Sequence, residues 1–316
     1  MRVTDLINNS SRTAFSFEIL PPLKGNDIQK VFNIVDKLIE FDPQYINITT
    51  HHSERVVKEL PDGRIETVNI RKRPGTVAIA AAIQNKYNVT AIPHLICKGF
   101  TKEETEYALI DLNFLGVHNL LVLRGDEKKL EQDQNTGNFN EHATDLAMQV
   151  NKFNEGKTFD NVEFEKNKTP FSYGMACYPE VHETALSFES DLNYMKMKQD
   201  LGAEYFVTQM FFDNDKYFSF VEKARSIGIT VPIIPGVKPI VLTNQMTILP
   251  KIFSLELPEE LNIELSKCKT DEQAKEVGVE WGIKQTRELI SKGVPSIHFY
   301  SLMATDSIRR IAKEVY

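Results

Sequence analysis

Four stretches of this sequence repeat one layout, and that repetition limits the fold more than any other feature. LGVHNLLVLRG (115–125), LGAEYFVTQ (201–209), IGITVPIIPG (227–236) and KGVPSIHFYSL (292–302) each run from a helix end through a glycine and a short polar step into an apolar strand. Gly116, Gly202, Gly228 and Gly293 fall where a helix closes in left-handed backbone, a conformation that strains residues bearing a Cβ. Short β-branched or aromatic runs occur eight times: Phe15 to Leu20, Tyr45 to Thr49, Val89 to Leu95, Asn119 to Leu123, Phe171 to Ala176, Tyr205 to Gln209, Pro232 to Pro235 and Ser296 to Tyr300. Amphipathic stretches lie between them at 27–41, 75–87, 102–115, 141–153, 188–201, 214–227 and 272–292, and Thr101 with Glu104 forms a capping box at one helix start. Buried parallel strands reached through helices, eight times over, are what a closed α/β barrel of the (β/α)8 TIM type needs. An open doubly wound sheet is the runner-up, but no G-x-G-x-x-G follows any of these strands. Polar stretches at 126–140 and 154–169 read as excursions within the barrel, so residues 1–316 are expected to form one domain.

Composition narrows the function class. Thirty-seven Lys and Arg against 44 Asp and Glu leave a net charge of −7, a sign that opposes the phosphate neutralisation on which nucleic-acid affinity rests. Cys97, Cys177 and Cys268 are odd in number and far apart, which fits reduced thiols rather than a disulfide frame or zinc cluster. The opening MRVTDLINNSSRT has no apolar signal region, and the longest apolar run, Val77 to Ile83, is too short to cross a bilayer. The expectation is a cytoplasmic protein with neither nucleic-acid nor membrane partners.

In a barrel of this type the active site is built at the C-terminal ends of the strands. The unusual residues fall there: Glu18 in F-S-F-E-I-L-P-P, Thr49, His94 in P-H-L, Arg124 and Asp126 in R-G-D, Tyr178 and His182 in Y-P-E-V-H, and Gln209. A parallel barrel strand has few solvated positions, so Glu18 is either buried or functional, and apolar neighbours would raise its pKa into the range of a general acid. Arg124 and Asp126 could simply pair, and His94 could be a satisfied core histidine. His51 and His52 read as a polar loop, since neighbouring strand residues face opposite ways. No His-x-His metal pattern, no Lys inside a late strand for a Schiff base (Lys98 and Lys238 fall in loops), no G-x-S-x-G and no P-loop occur.

At these residues the sequence resembles the methylenetetrahydrofolate reductase family, in its short bacterial type. The resemblance rests on F-S-F-E-I-L-P-P (15–22), A-I-P-H-L (91–95), N-L-L-V-L-R-G-D (119–126), Y-P-E-V-H (178–182), T-Q-M-F-F-D (208–213), I-I-P-G-V-K-P-I (233–240) and H-F-Y-S-L (298–302), in family order. It implies a (β/α)8 barrel that carries noncovalent FAD and reduces methylenetetrahydrofolate to methyltetrahydrofolate by ping-pong hydride transfer from NADH or NADPH, in supply of methionine synthesis. Glu18 then matches the catalytic acid, and Asp126 the carboxylate beside flavin and pterin. His94, Arg124, Gly125, Asp126, Ala143, Tyr178, His182, Ala185, Asp191 and Lys198 match FAD-binding positions. Gln209 and Gln245 match folate contacts, and Thr49 a contact to the nicotinamide donor, although the T-H-H-S that follows departs from the usual Tyr-Gly-Ala. The family Arg after the H-F-Y-T-L segment is replaced by Met303-Ala304. The resemblance also implies that residues 1–316 are a single catalytic domain with no regulatory domain of the kind eukaryotic members add, and, since members of the short bacterial type are often oligomeric, a homo-oligomer. A flavin-free folate-binding barrel methyltransferase and a noncatalytic flavin or folate carrier are the competing readings.

Overall fold

The computed structural model describes residues 1–125, 138–181, 185–302 and 304–316. Eight parallel strands form a closed barrel: β1 (Ala14–Ile19), β2 (Tyr45–Ile48), β5 (Thr90–Ile96), β6 (Asn119–Leu123), β7 (Ser172–Cys177), β8 (Tyr205–Met210), β9 (Ile233–Val237) and β10 (Ser296–Phe299). They follow one another round the barrel as β1, β10, β9, β8, β7, β6, β5 and β2. All eight coincide with the apolar runs read from sequence. Gly116, Gly202, Gly228 and Gly293 have φ of 70°, 110°, 87° and 74°, so the repeated helix end is real.

Most helices also fall where the amphipathic stretches placed them: α2 (Gln29–Leu38), α3 (Thr76–Tyr87), α4 (Lys102–Phe114), α5 (Ala143–Asn154), α6 (Phe188–Asp200), α7 (Asn214–Ser226) and α10 (Asp271–Ser291). At the start of α4 the Glu104 amide donates to Thr101 Oγ1 at 3.1 Å, and the Thr101 amide donates to Glu104 Oε2 at 2.8 Å. Four further helices were not read from sequence: α1 (Val3–Asn9), α8 (Gln245–Phe253), α9 (Glu259–Ser266) and α11 (Thr305–Val315). Neither was the antiparallel hairpin of β3 (Glu54–Glu59) and β4 (Ile65–Ile70), which turns at Pro61-Asp62-Gly63. The Gly63 amide donates to the Leu60 carbonyl at 2.8 Å, and φ of 80° at Gly63 closes the turn.

Backbone contacts divide the chain into two compact units. The first comprises Met1–Ile19, Asn33–Asn47 and Ser172–Tyr316. Its strands alternate two kinds of face. Phe15, Phe17 and Phe299 are fully buried, and the Phe15 ring packs on Phe299, Phe41 and Tyr316 at 5.2 to 5.9 Å. The opposite face carries buried polar residues, with Ser16 Oγ 2.9 Å from His298 Nδ1 and Tyr45 Oη 2.9 Å from Ser296 Oγ. Polar side chains so buried persist because they satisfy one another. The second unit comprises Leu20–Phe32 and Ile48–Phe171. Its core draws Ile79, Ala80 and Ile83 from α3, Ala91 and Ile92 from β5, Leu109 and Leu112 from α4, and Leu120 and Val122 from β6.

Candidate functional site

Register decides what stands beside Glu18. Ser16 pairs with His298, and His298 pairs with Gly236, so these three share a row across β1, β10 and β9. Side chains repeat every second residue along a strand. Two residues further along each strand, the same face therefore carries Glu18, Tyr300 and Lys238. The hydroxyl of Ser301 donates to the Glu18 carbonyl, and the Lys238 ammonium donates to the Leu302 carbonyl at 3.3 Å, so the turn after β10 holds both residues.

This row is desolvated. Glu18 is half-buried, and the protein around its carboxyl pushes the pKa up to about 7, with the Lys238 ammonium pulling the other way. Lys238 is buried, which lowers its pKa, while the Glu18 charge opposes that shift. Tyr300 donates to the Thr208 carbonyl at 2.6 Å, and burial, then the Glu18 charge, raises its pKa. Gly236 makes room for that ring: a Cβ there would lie 2.5 Å from both the Thr208 carbonyl oxygen and Tyr300 Cε2. Beneath the row, burial lowers the His298 pKa to about 3 and keeps the imidazole neutral. A carboxyl titrating near neutrality beside a fixed cation suits proton donation.

Lys238 was not singled out from sequence, because the apolar run there reads as ending at Pro235 and leaves Lys238 in a loop, whereas β9 runs to Val237. The signal was available in register, since Gly236 and Lys238 share a face.

The other expected residues of the first unit take varied positions. Lys198 on α6 reaches back to donate to the Ala176 carbonyl at 2.7 Å. Burial lowers its pKa, against the pull of Cys177 and Asp191. Lys198 and Asp191 are thus brought into electrostatic contact. Ala185 precedes the α6 cap, where Ser187 Oγ accepts from the Ser190 amide at 3.2 Å. Tyr178 follows β7 and lies close enough to Tyr300 to help raise its pKa. The Gln209 Oε1 accepts from the Met210 amide at 2.9 Å. Gln245 opens α8 with its Oε1 engaged by the Val241 and Leu242 amides at 2.7 and 3.2 Å.

In the second unit, His94 is buried within β5, and its carbonyl accepts from the Thr50 hydroxyl. Thr49 lies 3.5 Å from His51 Nε2 through its own hydroxyl. The Arg124 carbonyl accepts from the Lys98 amide at 3.0 Å and from Cys97 Sγ at 3.1 Å. Gly125 has φ of 88°, and a Cβ there would approach Ile96 and Lys98 no closer than 3.4 Å. Ala143 is the first residue of α5, whose cap is closed by the His142 amide donating to Asp145 Oδ2 at 2.9 Å. His52 packs over Gly99, and its Nδ1 lies 2.8 Å from the Ser53 carbonyl oxygen. Asp126 and His182 lie outside the described residues. Among the described residues no cluster of three His, Cys, Asp or Glu could hold a metal, and no helix is long and apolar enough to cross a membrane.

Comparison with known proteins gives a consistent picture. The family model for methylenetetrahydrofolate reductase matches residues 2–316. A probable methylenetetrahydrofolate reductase (NADPH) of Caenorhabditis elegans is 30% identical over 99% of this chain and 44% of its own length. Methylenetetrahydrofolate reductase (NADH) 1 of Arabidopsis thaliana is 30% identical over 96% of this chain and 48% of its own. The chain thus spans about half the length of these relatives. The 5,10-methylenetetrahydrofolate reductase of Escherichia coli (strain K12) is 28% identical over 91% of this chain and 85% of its own. Among solved structures, an uncharacterized protein from Clostridium thermocellum that binds two copies of 5-methyl-5,6,7,8-tetrahydrofolic acid superposes with a TM-score of 0.56 at 16% identity, covering 98% of both chains. It shares the fold.

Proposed function

Because this chain belongs to the methylenetetrahydrofolate reductase family, we propose that it reduces methylenetetrahydrofolate to methyltetrahydrofolate at the expense of NADH or NADPH, using noncovalent FAD. The observation that carries the reading is Glu18, a family-matched carboxyl whose surroundings raise its pKa to about 7. A ring-opening reduction of this substrate needs a proton delivered to a pterin nitrogen, and an acid that is still protonated near neutrality can deliver it. Gln209 and Gln245 each present an amide NH2 suited to the pterin or its carboxamide.

The residues present fit FAD. Two of those assigned to it are cations, Arg124 and Lys198, and a pyrophosphate needs such charge. Lys198 is the better supported, because its ammonium is desolvated and makes one described hydrogen bond, to Ala176. Gly125 adds left-handed backbone that carries no side chain of its own. When bound, FAD supplies the two-electron relay between the nicotinamide and the folate, which are then used in turn. Asp126 would add a carboxylate to stabilise positive charge developing on the folate. The product would serve methionine synthesis, and the reading includes self-association of the chain, which light scattering decides.

The test is an absorption spectrum of the purified protein followed by anaerobic reduction. A yellow protein whose colour is released on denaturation, bleached by NADH or NADPH and restored by methylenetetrahydrofolate, is the expected result. A colourless protein inactive with added FAD points to the flavin-free methyltransferase. A yellow protein that does not turn over points to a carrier.

A further inference from the structure

We propose that Lys238 is a positioning residue for the acid, its ammonium stabilising the carboxylate that Glu18 becomes after giving up its proton. The inference rests on the functional reading above and deepens it. β1, β10 and β9 are consecutive in the barrel, and their register brings Glu18, Tyr300 and Lys238 to one face of one row. Neighbouring strands lie about 4.8 Å apart, so the backbones of β1 and β9 stand about 10 Å apart there, a gap that a lysine and a glutamate span together. Lys238 does not turn outward to water. It is 6% exposed, and its ammonium is held by the Leu302 carbonyl in the turn whose Ser301 hydroxyl holds the Glu18 carbonyl.

An acid in such a site has two opposed tasks, to keep its proton until substrate arrives and then to lose it. Burial serves the first and resists the second, since a carboxylate left in a desolvated row is costly. When the Glu18 O–H bond breaks and an N–H bond forms on the pterin nitrogen, the negative charge stays on Glu18. A fixed positive charge is then needed on the same row. Tyr300, between the two, is committed to the Thr208 carbonyl and keeps its proton. His298, one row down, is tied to Ser16 and neutral. From the end of β7, Cys177 and Tyr178 act on Tyr300. Among the described residues, Lys238 is the cation that acts on Glu18.

The experiment is an infrared titration of the Glu18 carboxyl, identified as the protonated C=O band absent from Glu18→Gln, in the unaltered protein, Lys238→Met and Lys238→Arg. Methionine matches the lysine stem without its charge. The Glu18 titration should move up by ~1 unit or more in Lys238→Met and stay close to the parent in Lys238→Arg. The folate half-reaction of Lys238→Met should slow ~10-fold at neutral pH, with folate affinity and reduction by the nicotinamide donor retained. A Glu18 titration that coincides in Lys238→Met and parent overturns the proposal and leaves Glu18 as the acid. Failure of the functional reading shows differently, as no folate reduction by the unaltered protein, and the infrared titration, which needs no turnover, then still decides whether Lys238 governs Glu18.

Discussion

The strand ends of the two units do different physical work. In the first, titratable side chains are gathered on one desolvated row, where Glu18 and Lys238 shift each other's proton affinity and the Glu18 charge raises that of Tyr300. In the second, the hydrogen bonds that organise the strand ends use backbone carbonyls, those of His94 and Arg124, with hydroxyl, thiol and amide donors from adjoining loops. Under the proposed function, the first arrangement is the one that moves a proton. The second ties its strand ends to the loops beside them. A charge-changing substitution in the row should therefore change a rate or a pH profile, and one that cuts a backbone tie of the second a stability.

The largest expected effect tests the first half of that contrast. Glu18→Gln keeps size and polarity and removes the proton, so the folate half-reaction should fall at least ~10²-fold. Reduction by the nicotinamide donor needs no such acid and should persist. Stopped-flow absorbance separates the two steps, and near-native folate reduction would make the row a structural network only.

Next in size is binding. Lys198→Met removes a desolvated ammonium, and FAD retention measured by ultrafiltration should weaken ~10-fold, in keeping with ~1.5 kcal/mol for a charged hydrogen bond. Thr50→Val, which breaks the tie to the His94 carbonyl, should leave FAD retention intact and cost ~1 kcal/mol of stability. Equal loss of FAD in both would mean that the loops, rather than the cation, hold it.

Two glycines sharpen the contrast through packing. At Gly236 a Cβ meets backbone oxygen and an anchored ring at 2.5 Å, and neither can yield freely. Gly236→Ala should cost about 2–3 kcal/mol and also slow folate reduction, because Tyr300 must shift. At Gly125 the nearest atoms stand at 3.4 Å, so Gly125→Ala meets chiefly the left-handed backbone penalty of about 1–2 kcal/mol. Urea denaturation ranks the two.

The barrel was legible because its strands are buried on both faces, so each reads as an apolar run bounded by a glycine turn. The hairpin of β3 and β4 was not, although Asp62-Gly63 carries a turn signal: its strands carry Val57 and Ile65 exposed, and they interrupt the strand–helix alternation. α8 escaped because Pro250 lies within it. In the candidate site, the raised pKa of Glu18 could be read from its apolar neighbours along the chain. Lys238 could not, since its relation to Glu18 passes across two strand pairings, and only register turns a loop lysine into the partner of an acid. Gln245 shows the converse: its type could be matched, but not the use of its oxygen to brace the turn at Val241 and Leu242.

The smallest effect concerns stability against pH, where two residues of the first unit oppose each other. Glu18 has a folded pKa of about 7 against an ordinary 4.5, so between those values the folded state keeps a proton the unfolded chain has lost. Stability therefore falls as pH rises through that window. His298 has a folded pKa of about 3 against 6.5, so between those values the unfolded chain carries a proton the folded state excludes, and stability falls as pH drops. From about pH 4.5 to 6.5 the slopes have opposite signs, each at most ~1.4 kcal/mol per pH unit, and largely cancel. Removing one exposes the other. Across that window the melting temperature of Glu18→Gln should rise with pH relative to the parent, and that of His298→Gln should fall, by about 2 °C or more over the range. Parallel curves for the two variants would mean that the row beside Glu18 is better solvated than its burial implies, and would remove the contrast between the two sets of strand ends.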